Sequence, residues 1–306
     1  MQHFKLYFCI CIIAFVSSCT EPFIPETSPE AKLVVEGFIT AGDNPLPPYV
    51  FITKSIPFFD SIDINQFSEN FVNNAAVSVT FKDQVYELSP ICEVPPALED
   101  AAEELLGFNP NEAGIDICIY VDIFQNIPIE INTPYFLDIE VEGKRYSAST
   151  SIPRAVELSN FRWDEPPGEP NDTLARLFAT IEEPPGPDFY RILISNNGGP
   201  FVAPFASVTN DILFEDRAFE TPVNNVLEPG EEIDPNTFGL WTVGDSTVIR
   251  WMTIDEEHFN FWNTRDFNAN SGGPFSSYTR VDGNVSGALG IWGGYHQKDY
   301  PLLVEK

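Results

Sequence analysis

Ala76-Val-Ser-Val-Thr-Phe-Lys-Asp-Gln-Val-Tyr-Glu-Leu88 alternates apolar and polar side chains on both sides of a polar step at Lys82-Asp83. Successive side chains of a strand point to opposite faces, so the stretch reads as a hairpin of two half-buried strands. The signature returns in Tyr135 to Val141 and Arg145 to Thr150, with Glu142-Gly143-Lys144 between them. Upstream, Lys32 to Thr40 and Tyr49 to Lys54 are rich in β-branched and aromatic residues, and Ile115 to Phe124 reads as a further strand. Several short strands separated by turn signals predict an immunoglobulin- or fibronectin-like β-sandwich over residues 32–153, closed by Pro153.

The same period continues downstream. Val156 to Trp163 is a strand, and Leu174 to Ile181 and Phe189 to Ser195 read as a pair joined across Glu182-Glu-Pro-Pro-Gly-Pro-Asp188. Residues 196–240 carry few periodic cues and predict long loops. Thr247 to Ile254 is a strong strand that runs into a helix over 255–267, with Phe259 and Trp262 on its apolar face. Thr253 and Glu256 have the spacing of a capping box at its start. Ala288-Leu-Gly-Ile-Trp-Gly-Gly294 is a glycine-rich strand, of the kind that lets another backbone come close. The expected fold is therefore mainly β, with a second β-rich domain at 154–306 holding one or two short helices.

Composition agrees. Pro (27) and Gly (19) are abundant, and Phe (26) far exceeds Met (2), a profile of turns and strands rather than of a helical bundle. An apolar share of 43 % in 306 residues supplies a core and excludes wholesale disorder. The 46 acidic and 16 basic side chains give a net charge of −30. That charge excludes direct nucleic-acid binding, which depends on Lys/Arg patches, and docking on anionic lipid by a basic face.

The chain opens with a short basic start and an apolar run from Leu6 to Val16, too short for a membrane-spanning helix of about 20 residues. Val16-Ser17-Ser18-Cys19 follows in the register of a bacterial lipobox. Residues 1–18 are expected to be a lipoprotein signal peptide, leaving Cys19 as the acylated first residue and outer-membrane lipid as its partner. The alternative is an ordinary signal peptide cut nearby, with Cys19 incidental. Three prolines and three glutamates between Thr20 and Glu30 make residues 19–31 an extended tether.

The other cysteines are Cys9, Cys11, Cys92 and Cys118. The first two leave with the signal peptide. An exported chain then holds one remaining pair, and Cys92 with Cys118 is expected to form a disulfide, the alternative being two buried thiols. Loop entropy over such a span gives about 3–4 kcal/mol of stabilisation. Within it, Leu98, Ala101, Ala102, Leu105 and Leu106 have helical spacing and Gly107 a stop signal, predicting a short stapled helix.

Several segments, in this order, resemble the family called domain of unknown function 4249. They are Lys32 to Thr40, Thr53 to Phe59, Ala76 to Phe81, Gly143 to Pro153, Phe261-Trp262, Ser271 to Ser276 and Gly283 to Gly294. The resemblance implies an outer-membrane lipoprotein of Bacteroidota, often encoded beside a TonB-dependent outer-membrane transporter, and it carries no catalytic residues over.

Recognisable reaction motifs are missing. His258 and His296 stand in no metal-ligand spacing, and no nucleophile elbow, P-loop or dinucleotide fingerprint occurs. Neither a metal nor a cofactor is expected. The acidic groups Asp211/Glu215/Asp216 and Glu228/Glu231/Glu232/Asp234 lack the calcium-loop spacing and read as solvated loops, with calcium as the alternative. Asp60-Ser-Ile, Asp172-Thr-Leu and Asp245-Ser-Thr have the pattern of O-glycosylation sites. Of the five tryptophans (163, 241, 251, 262 and 292), most should pack the core, and Trp241, in the irregular region, is the candidate ligand contact. The expected function is that of a non-enzymatic accessory or substrate-binding partner of a TonB-dependent transporter, lipid-anchored at the outer membrane. A carbohydrate-binding or adhesion lipoprotein is the alternative, and an unrecognised hydrolase the second.

Overall fold

A computed structural model describes residues 31–56, 70–92, 117–168, 171–212, 217–227, 234–270 and 280–306. Cys19, the tether up to Glu30, the helix expected near 98–107 and the glycosylation-like Asp60 lie outside the described residues. In chain order the strands begin with β1 (Leu33–Gly42), β2 (Tyr49–Lys54), β3 (Ala76–Phe81), β4 (Gln84–Glu87), β5 (Ser89–Ile91) and β6 (Ile119–Val121). They continue with β7 (Pro134–Val141), β8 (Lys144–Ser151), β9 (Leu158–Asp164), β10 (Leu174–Glu182) and β11 (Phe189–Asn196). The last are β12 (Val208–Asn210), β13 (Ala218–Val223), β14 (Trp241–Thr242) and β15 (Ser246–Ile254), then helix α1 (Glu256–Asn270) and β16 (Leu289–Leu303).

The organising element is an eight-stranded sheet in the order β12-β11-β15-β16-β1-β2-β6-β5. Two four-stranded sheets accompany it: β4-β3-β7-β8, and β13-β10-β14 with β9 also on β10. The expected division at residue 153 is not a division of hydrogen bonding. The first strand, β1, pairs in parallel with the last, β16, from Val34↔Leu289 to Gly42↔Gln297. Residues 32–153 and 154–306 thus share one sheet, which single-stretch periodicity cannot show because the pairing joins its two ends.

Period-two alternation gives the large sheet two unlike faces. On one face Val35, Ile39, Val50, Ile52 and Trp292 pack against Val77, Val79, Leu137 and Ile139 of the β3–β7 sheet. Further along the same face, Tyr190, Ile194, Ile249 and Trp251 pack against Ala175, Leu177, Ala179 and Ile181 of β10. Two sandwiches therefore stand side by side on one broad platform. The opposite face carries Phe38, Tyr49, Phe51, Ile119 and Ile291, covered by Phe261 and Trp262 of α1.

Several local readings are corrected. β10 and β11 do not pair with each other: β10 joins β9, β13 and β14, whereas β11 joins β12 and β15. The three-proline link from Glu182 to Asp188 carries the chain from one sheet to the other instead of turning it back. Within 196–240, β12 and β13 form by long-range pairing without a strong local pattern. The strand expected over Ile115 to Phe124 is limited to β6, and Cys118 stands just before it. The helix cap is Asp255 rather than Thr253: its Oδ1 accepts the N–H of His258 at 2.8 Å, and its carbonyl accepts that of Phe259 at 2.9 Å. Thr253 instead spends its hydroxyl on the N–H of Val156 at 3.1 Å.

Cys92 and Cys118 are joined, with Cα atoms 3.9 Å apart. The register explains the pairing: β5 and β6 run antiparallel with Ile91 opposite Ile119, so the residues just beyond face one another.

Candidate functional site

The helix-covered face of the large sheet carries the site. Arg191 and Leu193 on β11, Arg250 and Met252 on β15, Tyr295 on β16, and Glu36 and Phe38 on β1 point to this face in register. Helix α1 adds Trp262 and Arg265 from one side, and Phe201 to Ala203 close the other. Together they enclose a cleft of about 310 Å³, at the lower end of the range for small-molecule sites.

Glycine lets the helix sit this close. A Cβ on Gly293 would come within 2.8 Å of Nδ1 of His258, which is fully buried on the sheet-facing side of α1. Burial and the charge of Arg191 hold the imidazole neutral, its pKa lowered to about 3. His258 stacks 5.3 Å from Phe38 and 6.2 Å from Trp262, so it supports the floor of the cleft.

Three of the chain's nine arginines line the cleft, in a protein of net charge −30. Their commitments differ. Arg250 makes a two-pronged pair with Asp299 at 2.9 and 3.0 Å and lies 3.7 Å from the Phe201 ring centre. Arg265 stands 3.9 Å from Asp266, whose other carboxylate oxygen accepts the hydroxyl of Ser207. Arg191 stacks on Trp262, 3.4 Å from its ring centre, and forms no ion pair among the described residues. Burial lowers its pKa to about 10. Glu36 shares the cleft, and burial raises its carboxyl above the usual range despite Arg265 and Arg191. Two donors, Nε of Arg191 and Nε1 of Trp262, are shut off from solvent without a hydrogen-bond partner, as is Nε2 of His258 next to them. Buried polar atoms without partners are rare, and three stand close together here among the described residues.

The family model described as domain of unknown function DUF4249 matches residues 20–300. The chain belongs to that family. No curated protein matches it.

The residues singled out in the sequence fall elsewhere in this DUF4249 structure. Trp241 is 1 % exposed; its Nε1–H donates to the carbonyl of Val223 at 2.9 Å, and it packs edge-on to Trp163. It is a core residue of the second sandwich and offers no face to a ligand. Of the acidic groups, Asp234 makes a local turn by accepting the N–H of Asn236 at 2.9 Å, while Glu215, Asp216, Glu228, Glu231 and Glu232 lie outside the described residues.

Asp211 is buried and joins Glu183 and Asp188 in a carboxylate cluster that no sequence spacing grouped; their oxygens lie within 4.8 Å of one another. The chain itself supplies partners: Arg154 pairs with Asp188, the hydroxyl of Tyr190 donates to Glu183 at 2.7 Å, and the N–H of Asp188 donates to Asp211 at 3.1 Å. Burial, with the neighbouring carboxylates, raises Glu183 to about 7. The folded protein then holds a proton that the unfolded chain releases between about pH 4.5 and pH 7, so stability from this group falls as pH rises through that window. Glu183→Gln should leave the melting temperature unchanged near about pH 4 and raise it by a few degrees near about pH 8. Parallel pH series of thermal melts check this, and equal melting temperatures at both ends would refute it.

Arg191 and Trp262 lacked a sequence signal because a lone arginine in a strand and an aromatic on a helix are ordinary. The usable cue is charge inside a β-pattern: Arg191 and Arg250 are the only charged residues of their strands in a very acidic chain.

Proposed function

We propose that this protein is an outer-membrane lipoprotein, anchored through acylated Cys19, that serves as the accessory or substrate-binding partner of a TonB-dependent transporter. The cleft under α1 is the observation that carries the reading. It has the size, aromatic walls and uncommitted polar atoms of a small-molecule site, on a rigid sheet. The lipobox-like Val16-Ser17-Ser18-Cys19 and the family resemblance support the location and the partner.

The site favours binding over catalysis. The one hydrogen-bond contact of the His258 ring, among the described residues, is Nδ1 at 3.5 Å from the carbonyl of Gly294, and among those residues no nucleophile or carboxylate hydrogen-bonds to the ring. No helix among the described residues is long and apolar enough to cross a membrane, so the anchor in this reading is the lipid.

The test is purification of the tagged full-length protein from outer membranes in mild detergent, with mass spectrometry of what accompanies it. The expected result is a TonB-dependent barrel in near-equal amount. A protein that elutes alone would remove the transporter from the reading and favour a free-standing surface binder, which glycan arrays would then examine.

A further inference from the structure

We infer that the cleft under α1 binds an organic carboxylate with a flat apolar body, and that Arg191 is the residue that receives the carboxylate. The inference deepens the substrate-binding reading above and rests on it.

Three observations converge. The first is an imbalance of partners. Arg250 is satisfied by Asp299 and Arg265 is met by Asp266, but Arg191 lies under α1 with its Nε shut off from water and bonded to nothing. A buried guanidinium without an acceptor is costly, and a carboxylate matches its planar fork with two parallel N–H···O bonds. The second is a second donor at the same place. The ring of Trp262 carries Arg191 on its face, and its own Nε1–H also lacks an acceptor. The orphans on the two cleft-lining side chains, Nε of Arg191 and Nε1 of Trp262, are donors and call for an acceptor; the third, Nε2 of His258, belongs to a residue outside the cleft lining. The third is the wall itself. Phe38, Tyr49, Phe201, Trp262 and Tyr295 surround the arginines with rings, which suit a flat apolar body.

Glu36 lines the same cleft. Burial raises its carboxyl above the usual range although Arg265 and Arg191 pull the other way, and no ion pair among the described residues ties it to either arginine.

The probes are 3-phenylpropionate and its uncharged amide, titrated into the full-length protein in mild detergent by calorimetry and by tryptophan fluorescence. The acid is expected to bind at least about tenfold more tightly than the amide, with a fluorescence change that Trp262→Phe removes. Arg191→Gln should abolish the preference for the acid. Arg191→Lys keeps the charge without the fork and should weaken the acid about tenfold, and it serves if the glutamine variant fails to fold. Equal binding of acid and amide, a preference that survives in Arg191→Gln, or no saturable binding of either probe up to about 10 mM would each overturn the inference. The two readings fail separately. Acid-selective binding by a protein that purifies without a barrel keeps the cleft and removes the transporter, and a co-purifying barrel with no acid selectivity does the reverse.

Discussion

Trp292→Ala is expected to destabilise the protein by about 3–5 kcal/mol, the range for emptying a large aromatic from a closed core. Trp292 has no exposed surface and lies on β16, facing the β3–β7 sheet across the first core. Its Nε1–H donates to the carbonyl of Tyr135 at 3.3 Å, so one ring ties the large sheet to the smaller one. The ring also fills the space above Gly37, whose absent side chain would meet it at 2.9 Å. Truncation therefore leaves a cavity, loses the tie to the Tyr135 carbonyl and opens an unfilled groove together. Urea titrations followed by circular dichroism give the number. A loss under about 1 kcal/mol would mean that the two sheets close over the gap, and that their packing is looser than the buried contacts indicate.

Gly290→Ala should be at least as severe, above about 3 kcal/mol or without a folded product, for a different reason. Gly290 has φ of 104°, outside the reach of residues with side chains, and sits opposite Val35 in the parallel ladder of β1 and β16. A Cβ there would lie 1.8 Å from the carbonyl oxygen of Val35, which is backbone and cannot swing away. The control is Gly143→Ala, in the β7–β8 turn with φ of 74° and no atom within 4 Å of the added carbon. It should cost only about 1–2 kcal/mol, the price of the left-handed backbone by itself. Comparable losses at the two sites would show that the β1–β16 contact is not the constraint proposed for it.

Local chemistry was legible and long-range pairing was not. The hairpins of β3 with β4 and β7 with β8 followed from alternation around short turns, because such pairing is between near neighbours. The glycine-rich strand was legible as a place of close approach, and Gly290 against Val35 realises it. The parallel union of β1 with β16 left no trace in either segment, since both read as apolar strands whatever they pair with. The same limit governed the site. Arg191, Trp262 and Glu36 come from three separate stretches, and only the sheet brings them to one face. Trp241 stands in a stretch of sequence without a periodic pattern, yet β14 buries it through two pairs with β10.

The neighbourhood of β1 and β16 also sets an order of events in time. Val35 meets Gly290 at a sequence separation of 255, so the centre of the large sheet is closed by contacts between the two ends of the chain. Contacts of that separation slow folding, because loop-closure entropy is lost before the contact rewards it. As the chain emerges, one side of β1 remains an open edge until β16 is delivered, and open edges invite pairing with other chains. The β3–β4–β7–β8 sheet can form early from local hairpins. On this ground the platform that carries the cleft is expected to assemble last, and a chain cut short before β16 is expected to keep its hairpins and lose its site.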